Sequence, residues 1–499
     1  MELQFEVNTV HCLKQLKGEQ QTREQTQELR LGDGMPDVGR VLCAWGQTVV
    51  RSKEWQPDTV SMHCGVMVWV LYSPEDGSQA QCVQAWLPMS FQWDIPHTQQ
   101  DGTVNCHVLL RSVDARPLSG RKLMLRAVVC TSMQAYVPCA IEHYTPQNVP
   151  ADIHLKESVY PVCLAREAGE KAFMMDEEIT LPDTVPGLEK PLRYSLQCEV
   201  EEKKVLADKL VFRGNTCLHL LYRTQEGALA SYDAQLPFSQ YTQLQQEYAG
   251  EPQLQMLPII TSAELEIDEQ GRLRLKAGLS GQYLICENIP IKVVEDAYSP
   301  EREVTVQKTR VEIPGILERQ NQRVRAEVSG NFGSSRVVDV TFTLGCPHKQ
   351  RNPQELAAQL QGQFQALYYD IEGTLQASNA NWQDTITMGL DENANMDILC
   401  NPWGVPQAVA GQSATILRGE MMLDTVTTAT EPFDVASALS VGEQKEKDPQ
   451  RPSLILRRAG NQSLWELAKE NGSTTQAIME ANGLNGEPDP EQMLLIPVL

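Results

Sequence analysis

The chain has 499 residues, a formal net charge of −23 at pH 7 and 41% hydrophobic residues. This length exceeds what one hydrophobic core usually organises, so we expect about three or four domains. The acidity argues against a basic surface for phosphates, and we predict no nucleic-acid partner.

The chain shows no targeting or membrane-spanning signal. The N-terminus lacks a basic segment followed by an apolar stretch, and no run of eighteen apolar residues occurs. We therefore expect a cytoplasmic protein without a transmembrane segment. The thirteen cysteines contain no Cys-x-x-Cys pair, which predicts buried free thiols rather than a disulfide framework or a zinc site.

An internal repeat organises most of the chain. The segment VLYSPEDG at 70–77 resembles LLYRTQEG at 220–227 and, more distantly, ALYYDIEG at 366–373. At a shift of 150 positions the first two copies also share other residue types, including Leu31 and Leu181, Asp33 and Asp183, and Pro36 and Pro186. A period of this length predicts three similar structural units, with Tyr72, Tyr222 and Tyr368 at equivalent positions.

The repeated segments alternate between apolar and polar residues. Val60, Met62 and Cys64 occupy every second position of the first copy, and a period of two predicts strands. An acidic residue followed by Gly ends each segment, which predicts a tight hairpin turn at Gly77 and its two counterparts. Residues 352–369 are ambiguous, because the first half suits a helix and the second half suits the repeated strand.

We predict a mainly β fold with three repeated β-sandwich or barrel-like domains followed by a small βααβ domain. The predicted bounds are 1–165, 166–305 and 306–440 for the β domains, 441–452 for a linker, and 453–499 for the tail. The linker combines charged residues with proline and has little apolar content. We therefore expect it to tether the tail with some freedom.

The tail reads as strand, helix, helix and strand. LILRR and MLLIP predict short strands, and the segments beginning at Ser463 and Ser473 have apolar residues at helical spacing. Ser463 with Glu466, and Ser473 with Gln476, predict capping boxes, while an Asn-Gly pair follows each helix. We expect Trp465 to lie in the core of this small domain.

The order of these elements, with the SLW, EANGL and LLIP landmarks, closely resembles a LysM domain over residues 453–499. The resemblance implies a shallow groove that binds N-acetylglucosamine polymers such as peptidoglycan, between the loop before the first helix and the loop after the second. Family members usually have Gly-Asp where this chain has Asn461-Gln462. By position, the implied ligand-binding residues are Asn461, Gln462, Ser463, Leu464, Ile478, Met479, Asn482, Gly483 and Leu484.

The β units resemble the SPOCS domain of endospore-forming Firmicutes. MPDVGRVLCAWGQ at 35–47 and EKAFMMDEEITLP at 170–182 carry this resemblance. Members of that family often have a C-terminal LysM domain and are associated with assembly of the spore coat and envelope. The resemblance implies coat or envelope proteins as partners and a location at the forespore surface on the mother-cell side.

The sequence contains no recognisable catalytic motif. The eight histidines fall singly, and the sequence contains no HExxH, GxSxG or phosphate-binding glycine pattern. The pairs Cys106-His107 and Cys346 with His348 lack further partners, so we expect strand packing rather than a metal site or a nucleophile. Either core packing or an exposed partner surface would explain four tryptophans that cluster in the first copy: Trp45, Trp69, Trp86 and Trp93.

These observations leave three hypotheses. We favour a non-enzymatic scaffold of the spore surface, without cofactor or metal, whose LysM domain docks a partner protein. The alternative is an adaptor whose LysM domain binds peptidoglycan at the cell wall or spore cortex. The third is a hydrolase with an unrecognised site in the β units, which would require a cavity with convergent titratable groups.

Overall fold

The computed structural model describes residues 2–99, 101–267, 272–330, 336–352, 355–388, 394–410, 414–446 and 450–499. Over these residues the chain is mainly β, with two short helices confined to the C-terminal tail. The predicted fold class is confirmed. The ambiguous segment at 352–369 forms a strand from residue 355 to residue 369, while its residues 353 and 354 lie outside the described ranges.

The first unit is a sandwich of two antiparallel sheets. After the short strand β1 (Glu2–Leu3), it consists of β2 (Phe5–Arg30), β3 (Val38–Gln56), β4 (Thr59–Pro74), β5 (Gln81–Asp94), β6 (Thr103–Ser119) and β7 (Lys122–Pro146). The long outer strands β2 and β7 pair, and β6 continues their sheet, while β3, β4 and β5 form the second sheet. Apolar side chains of both sheets pack into one core.

The second and third units repeat this topology. The second consists of β8 (His154–Ile179), β9 (Leu188–Thr224), β10 (Leu229–Tyr248), β11 (Gln253–Ile267) and β12 (Leu273–Tyr298). The third consists of β13 (Arg302–Gly330), β14 (Arg336–Leu344), β15 (His348–Asn352), β16 (Glu355–Tyr369), β17 (Leu375–Met388), β18 (Asn395–Ala410) and β19 (Thr415–Gln444). In both, the first strand pairs with the last and the last with the strand before it.

The hairpin turn that follows the repeated tyrosine has the same backbone conformation in all three units. The Tyr72 hydroxyl donates to the Pro36 carbonyl at 3.0 Å, and the Tyr222 hydroxyl donates to the Pro186 carbonyl at 2.8 Å. Tyr368, which is half-buried, packs against the core of the third unit as Tyr72 and Tyr222 pack in the cores of theirs. The turn glycines Gly77, Gly227 and Gly373 all have positive φ, and each turn joins two paired strands. The predicted repeat register and hairpins are therefore confirmed.

The three units meet in a shared apolar cluster. Trp45 and Trp69 of the first unit pack there with Leu221 of the second and Leu367 of the third. The core interpretation is confirmed for these two tryptophans and for Trp93, which is buried within the first unit. Trp86 is half-buried and lies beneath the Arg51 guanidinium, at 5.0 Å from charge to ring centre.

Buried charges join the same three units. Arg193 and His219 of the second unit both contact Asp339 of the third, with Arg193 Nη2 at 3.1 Å from one carboxylate oxygen and His219 Nε2 at 2.5 Å from the other. The Arg193 guanidinium also lies 4.8 Å from the ring centre of Trp45 in the first unit. A buried carboxylate persists when cations and hydrogen bonds compensate its desolvation, which this arrangement provides.

A disulfide corrects the expectation that all cysteines are free. Cys130 of β7 is bonded to Cys346, which lies between β14 and β15, and their Cα atoms are 5.8 Å apart. The bond joins the first unit to the third across 216 positions of sequence, a pairing that cysteine spacing alone does not specify. Cys12 and Cys139 also face each other across two paired strands. Both are free thiols, and their sulfur atoms are 2.9 Å apart.

The predicted domain bounds fall inside strands instead of between them. The bounds at 165, 305 and 440 fall inside β8, β13 and β19, because the long outer strands extend beyond the sandwich cores. The first residues of the predicted linker likewise continue β19, where Val441 is buried. Linker residues 447–449 lie outside the described ranges.

Candidate functional site

The tail folds as predicted into two short helices between two paired strands. Its elements are β20 (Leu454–Arg458), α1 (Leu464–Asn471), α2 (Thr475–Asn482) and β21 (Met493–Pro497). Ser463 and Glu466 form the predicted capping box at the start of α1. Gly472 and Gly483 end the helices with left-handed backbone, at φ of 59° and 64°.

The second predicted capping box is wrong by one residue. The N-cap of α2 is Thr474, whose hydroxyl accepts from the Ala477 amide at 3.0 Å. Ser473 instead belongs to the end of α1, because its amide donates to the Ala468 carbonyl and its side chain is buried. Ser473 and Thr474 are adjacent and both carry a hydroxyl group, so the sequence alone does not show which of them is the N-cap of α2.

The nine predicted groove residues do not share one environment. Leu464 and Ile478 are buried in the core of the tail, where they cannot meet a ligand through their side chains. Asn461 and Gly483 are exposed. The other five are half-buried: Gln462, Ser463, Met479, Asn482 and Leu484.

Two of the predicted polar residues already have internal partners. Gln462 accepts from Arg457 Nη2 and donates to Glu470 Oε1 at 2.8 Å. Asn482 accepts from the Leu495 amide at 2.7 Å and donates to the Leu495 carbonyl at 2.6 Å, which fixes the end of α2 to β21. The hydrogen bond from Gln462, followed by that from Arg457, lowers the pKa of the Glu470 carboxyl.

Hydrogen bonds hold the two loops of the predicted groove together. The Ala459 and Gly460 amides donate across to the Gln492 and Pro490 carbonyls, each at 2.9 Å. Gly460, at φ of 63°, supplies the left-handed residue of the first loop, so Asn461 does not have to adopt it. The two loops therefore form a connected edge rather than independent segments.

Glu487 is the residue of this edge that sequence reasoning missed. It lies in the loop after α2, and its carboxylate accepts from the Leu464 amide at 2.8 Å, across from one loop to the other. That amide is one of the unpaired donors at the start of α1, where a negative charge is favourable. The only signal in the sequence is an acidic residue in the loop after α2. Glu487 lies 23 positions after Leu464, so the sequence does not indicate that the two residues pair.

The tail contacts the second β unit directly, which corrects the expectation of a loose tether. The indole nitrogen of Trp465 donates to Asp296 Oδ2 at 2.9 Å, and Lys469 Nζ lies 2.7 Å from the same oxygen. The rings of Trp465 and Tyr298 pack edge to face at 4.7 Å, and the Tyr298 hydroxyl donates to the Ser473 carbonyl at 3.0 Å. Trp465 is thus half-buried at a contact between units, rather than enclosed in the core of the tail.

Asp296 is the charged centre of this contact. Burial alone would raise the pKa of its carboxyl, but hydrogen bonds from Lys469 and Trp465, with the lysine charge, bring the pKa below its usual value. The carboxylate therefore stays ionised at neutral pH and strengthens both hydrogen bonds.

A second candidate place is a cavity of about 230 Å³ at the junction of the three β units. Its lining includes His107 of the first unit, Arg193 and His219 of the second, and Asn401 of the third. Burial lowers the pKa of His107 to about 4, although the hydrogen bond that its ring donates to the Asn401 side-chain oxygen opposes this. Burial also opposes protonation of His219, but Asp339 and Asp233 outweigh it and raise the pKa to about 9.

The cavity does not assemble an activated nucleophile from its described lining. His107 Nε2 is 2.6 Å from Asn401 Oδ1, and both ring nitrogens of His219 face carboxylates. The lining thiols Cys198 and Cys217 have pKa values raised to about 12, mainly by burial, so they stay protonated at neutral pH.

The described residues contain neither a membrane-spanning helix nor a cluster of metal ligands. Neither helix in them is long and apolar enough to cross a membrane. They also contain no group of three or more His, Cys, Asp or Glu side chains placed to hold a metal ion.

Comparison with known proteins supports the resemblance of the tail. A family model described as the LysM domain matches residues 460–497. No curated protein and no solved structure matches the chain. The chain therefore carries a LysM domain at its C-terminal end, and this domain suggests a carbohydrate-binding role of the peptidoglycan or chitin type.

Proposed function

We propose that this chain is a non-enzymatic adaptor whose LysM domain binds peptidoglycan at the edge formed by its two loops. The connected edge supports this proposal, since the Ala459 and Gly460 amides tie the first loop to the second. A binding site that is already ordered avoids the entropic cost of ordering loops on association. The three β units would then hold this edge at a fixed position through Asp296 and Tyr298.

Glu487 has a specific place in the proposed binding step. Its carboxylate accepts from the Leu464 amide in the absence of sugar. We infer that an N-acetyl carbonyl of the glycan takes over this amide, because both groups accept a hydrogen bond at the start of α1. Glu487 is exposed, so its carboxylate can turn to solvent without a large desolvation cost.

The test measures retention of the full chain on insoluble purified peptidoglycan. Asn461→Trp places a large ring on the exposed part of the first loop, and we expect at least a tenfold loss of retention. Gln476→Trp is the matched control, because it makes a similar change on the exposed face of α2, and we expect it to retain binding. Equal retention of the two variants would refute the assignment of the site to the loops.

A protein-docking scaffold is the second candidate, and the internal pairing of the groove favours it. Gln462 and Asn482 already have partners within the tail, so they offer few free groups for sugar hydroxyls. In this reading the tail docks a protein of the spore coat or envelope at the forespore surface. This setting rests on the resemblance of the β units to the SPOCS domain.

Binding of the full chain to purified peptidoglycan distinguishes the two candidate functions. The adaptor predicts saturable binding of the full chain to purified peptidoglycan without any other protein. The scaffold predicts no such binding, because a partner protein would supply the contact surface. Binding that is absent for the wild-type chain at a concentration of about 100 μM, above the range of typical specific recognition, would therefore favour the scaffold.

A further inference from the structure

The outer face of the sheet formed by β20 and β21 is apolar and exposed. The apolar residues that alternate outward are exposed by 51% at Leu454, 63% at Leu456, 49% at Met493 and 38% at Leu495, and Arg458 and Pro497 share the same alternation. Leu499, exposed by 59%, continues the alternation beyond β21, where the Val498 amide still pairs with Ser453. We call the five leucine and methionine residues the sheet face.

The register places these side chains side by side. Leu456 is directly opposite Leu495, while Met493 and Leu454 lie on the neighbouring rungs of the ladder. The intervening residues Leu494 and Ile496 point the other way and are buried against the helices. Because side chains alternate across a strand, the sheet face is the side of the tail away from α1 and α2.

The core and the β units leave this surface uncovered. The helix side of the tail packs on its own core and, through Trp465, on the second β unit. The sheet face stays exposed beside the three β units, so no described part of the chain covers it. Isolated exposed leucines are ordinary, but a contiguous group on one small sheet indicates an interaction surface.

We propose that the sheet face binds a second copy of this chain, through face-to-face packing of the two sheets about a twofold axis. The five residues expose an area on the order of 450 Å² a side, so two copies would bury about 900 Å² between them before any rim contact is added. This area falls just short of the roughly 1,000 Å² expected of a stable specific interface. The expected dimer is therefore weak, with a dissociation constant in the micromolar range.

The charges at the rim suit a second copy better than an anionic lipid surface. Arg458, at one end of β20, lies 2.9 Å from Glu491, and both side chains are exposed. The pair carries both signs of charge, so a twofold axis would let the arginine of each copy exchange from its own glutamate to that of the other copy without leaving either charge unpaired. An anionic membrane would instead repel a chain with a net charge of −23.

This interface is spatially separate from the proposed glycan site. The sheet face lies on the strands, whereas the glycan edge consists of the loops that flank the helices. Loss of one function should therefore leave the other measurable.

The test determines the mass of the full chain by sedimentation between about 1 and 100 μM, a range that spans the expected dissociation constant. We expect monomers at the lower end and mostly dimers at the upper end. The double variant Leu456→Asp with Leu495→Asp should remain monomeric throughout, with at least a tenfold weaker association. Its circular dichroism spectrum and melting temperature establish that it is folded.

Leu206→Asp is the matched control, since Leu206 is exposed by 50% in the second β unit. We expect this variant to dimerise as the wild type does. A monomeric wild type at 100 μM, or a double variant that still dimerises, would overturn the proposal. Co-sedimentation of a monomeric wild type with phosphatidylcholine vesicles would assign the sheet face to lipid instead, and would also overturn it.

Discussion

The contact between the LysM domain and the second β unit can be tested at a single side chain. Asp296→Ala removes the acceptor of the Trp465 indole and the partner of Lys469. A hydrogen bond to a charged group contributes about 1.5–3 kcal/mol. The lysine side chain is 44% exposed, so its ion pair adds only about 0.2–1 kcal/mol. We expect docking to weaken by about 2–4 kcal/mol in total.

A change of this size is visible in proteolysis. It shifts the ratio of docked to undocked molecules roughly 30-fold or more toward the undocked form. Lys445 lies between β19 and β20, is followed by Glu446, and donates through Nζ to the Ser299 carbonyl of the second unit at 2.8 Å. Tryptic cleavage after Lys445 should therefore release the LysM domain many times faster from Asp296→Ala than from the wild type.

Two variants separate docking from general destabilisation. Asp176→Ala removes a carboxylate paired with Arg274 on the exposed surface of the second unit, and we expect its cleavage rate to match the wild type. Trp465→Phe keeps a ring beside Tyr298 but removes the indole donor, so it should accelerate cleavage less than Asp296→Ala does. Release of the domain at the wild-type rate in Asp296→Ala would refute the reasoning.

Three further predictions concern stability. His219→Gln should cost about 3–5 kcal/mol of unfolding free energy in urea titrations, because it leaves the buried Asp339 carboxylate with one cation fewer. The raised pKa of His219, about 9, stabilises the fold fully below its unfolded value near 6.5, and this contribution should disappear as pH rises through 9 in pH-dependent melting curves. Cys130→Ser should lower the unfolding free energy by about 2–5 kcal/mol under oxidising conditions and have a smaller effect after reduction of the wild type, because the disulfide with Cys346 restricts the unfolded chain.

Local patterns predicted the elements of this fold well. Period-two alternation around Val60 and Met62 identified a strand because side chains of a sheet alternate between core and solvent. The acidic-Gly pairs identified three hairpins because the turn requires a backbone conformation that Gly adopts easily. These signals depend on neighbours in sequence, so one chain contains all the information they need.

Contacts between units could not be predicted in this way. The disulfide of Cys130, the pairing of Asp339 with Arg193, and the docking of Trp465 all join residues more than a hundred positions apart. Nothing in the local sequence of either partner specifies the other. In the site, the same limit concealed Glu487, whose carboxylate reaches the start of α1 from the opposite loop.

The LysM domain presents three separate surfaces, and their separation has a functional consequence. The helix side contacts the β units through Trp465, the loop edge is the proposed glycan site, and the sheet face with Leu456 is the proposed dimer interface. A dimer would then present two glycan edges in a fixed relation. Because peptidoglycan repeats the same sugar units, the second edge would bind at a high effective concentration, so the dimer should be retained far more strongly than the monomeric double variant. Equal retention of the two would mean that self-association and glycan binding are not coupled.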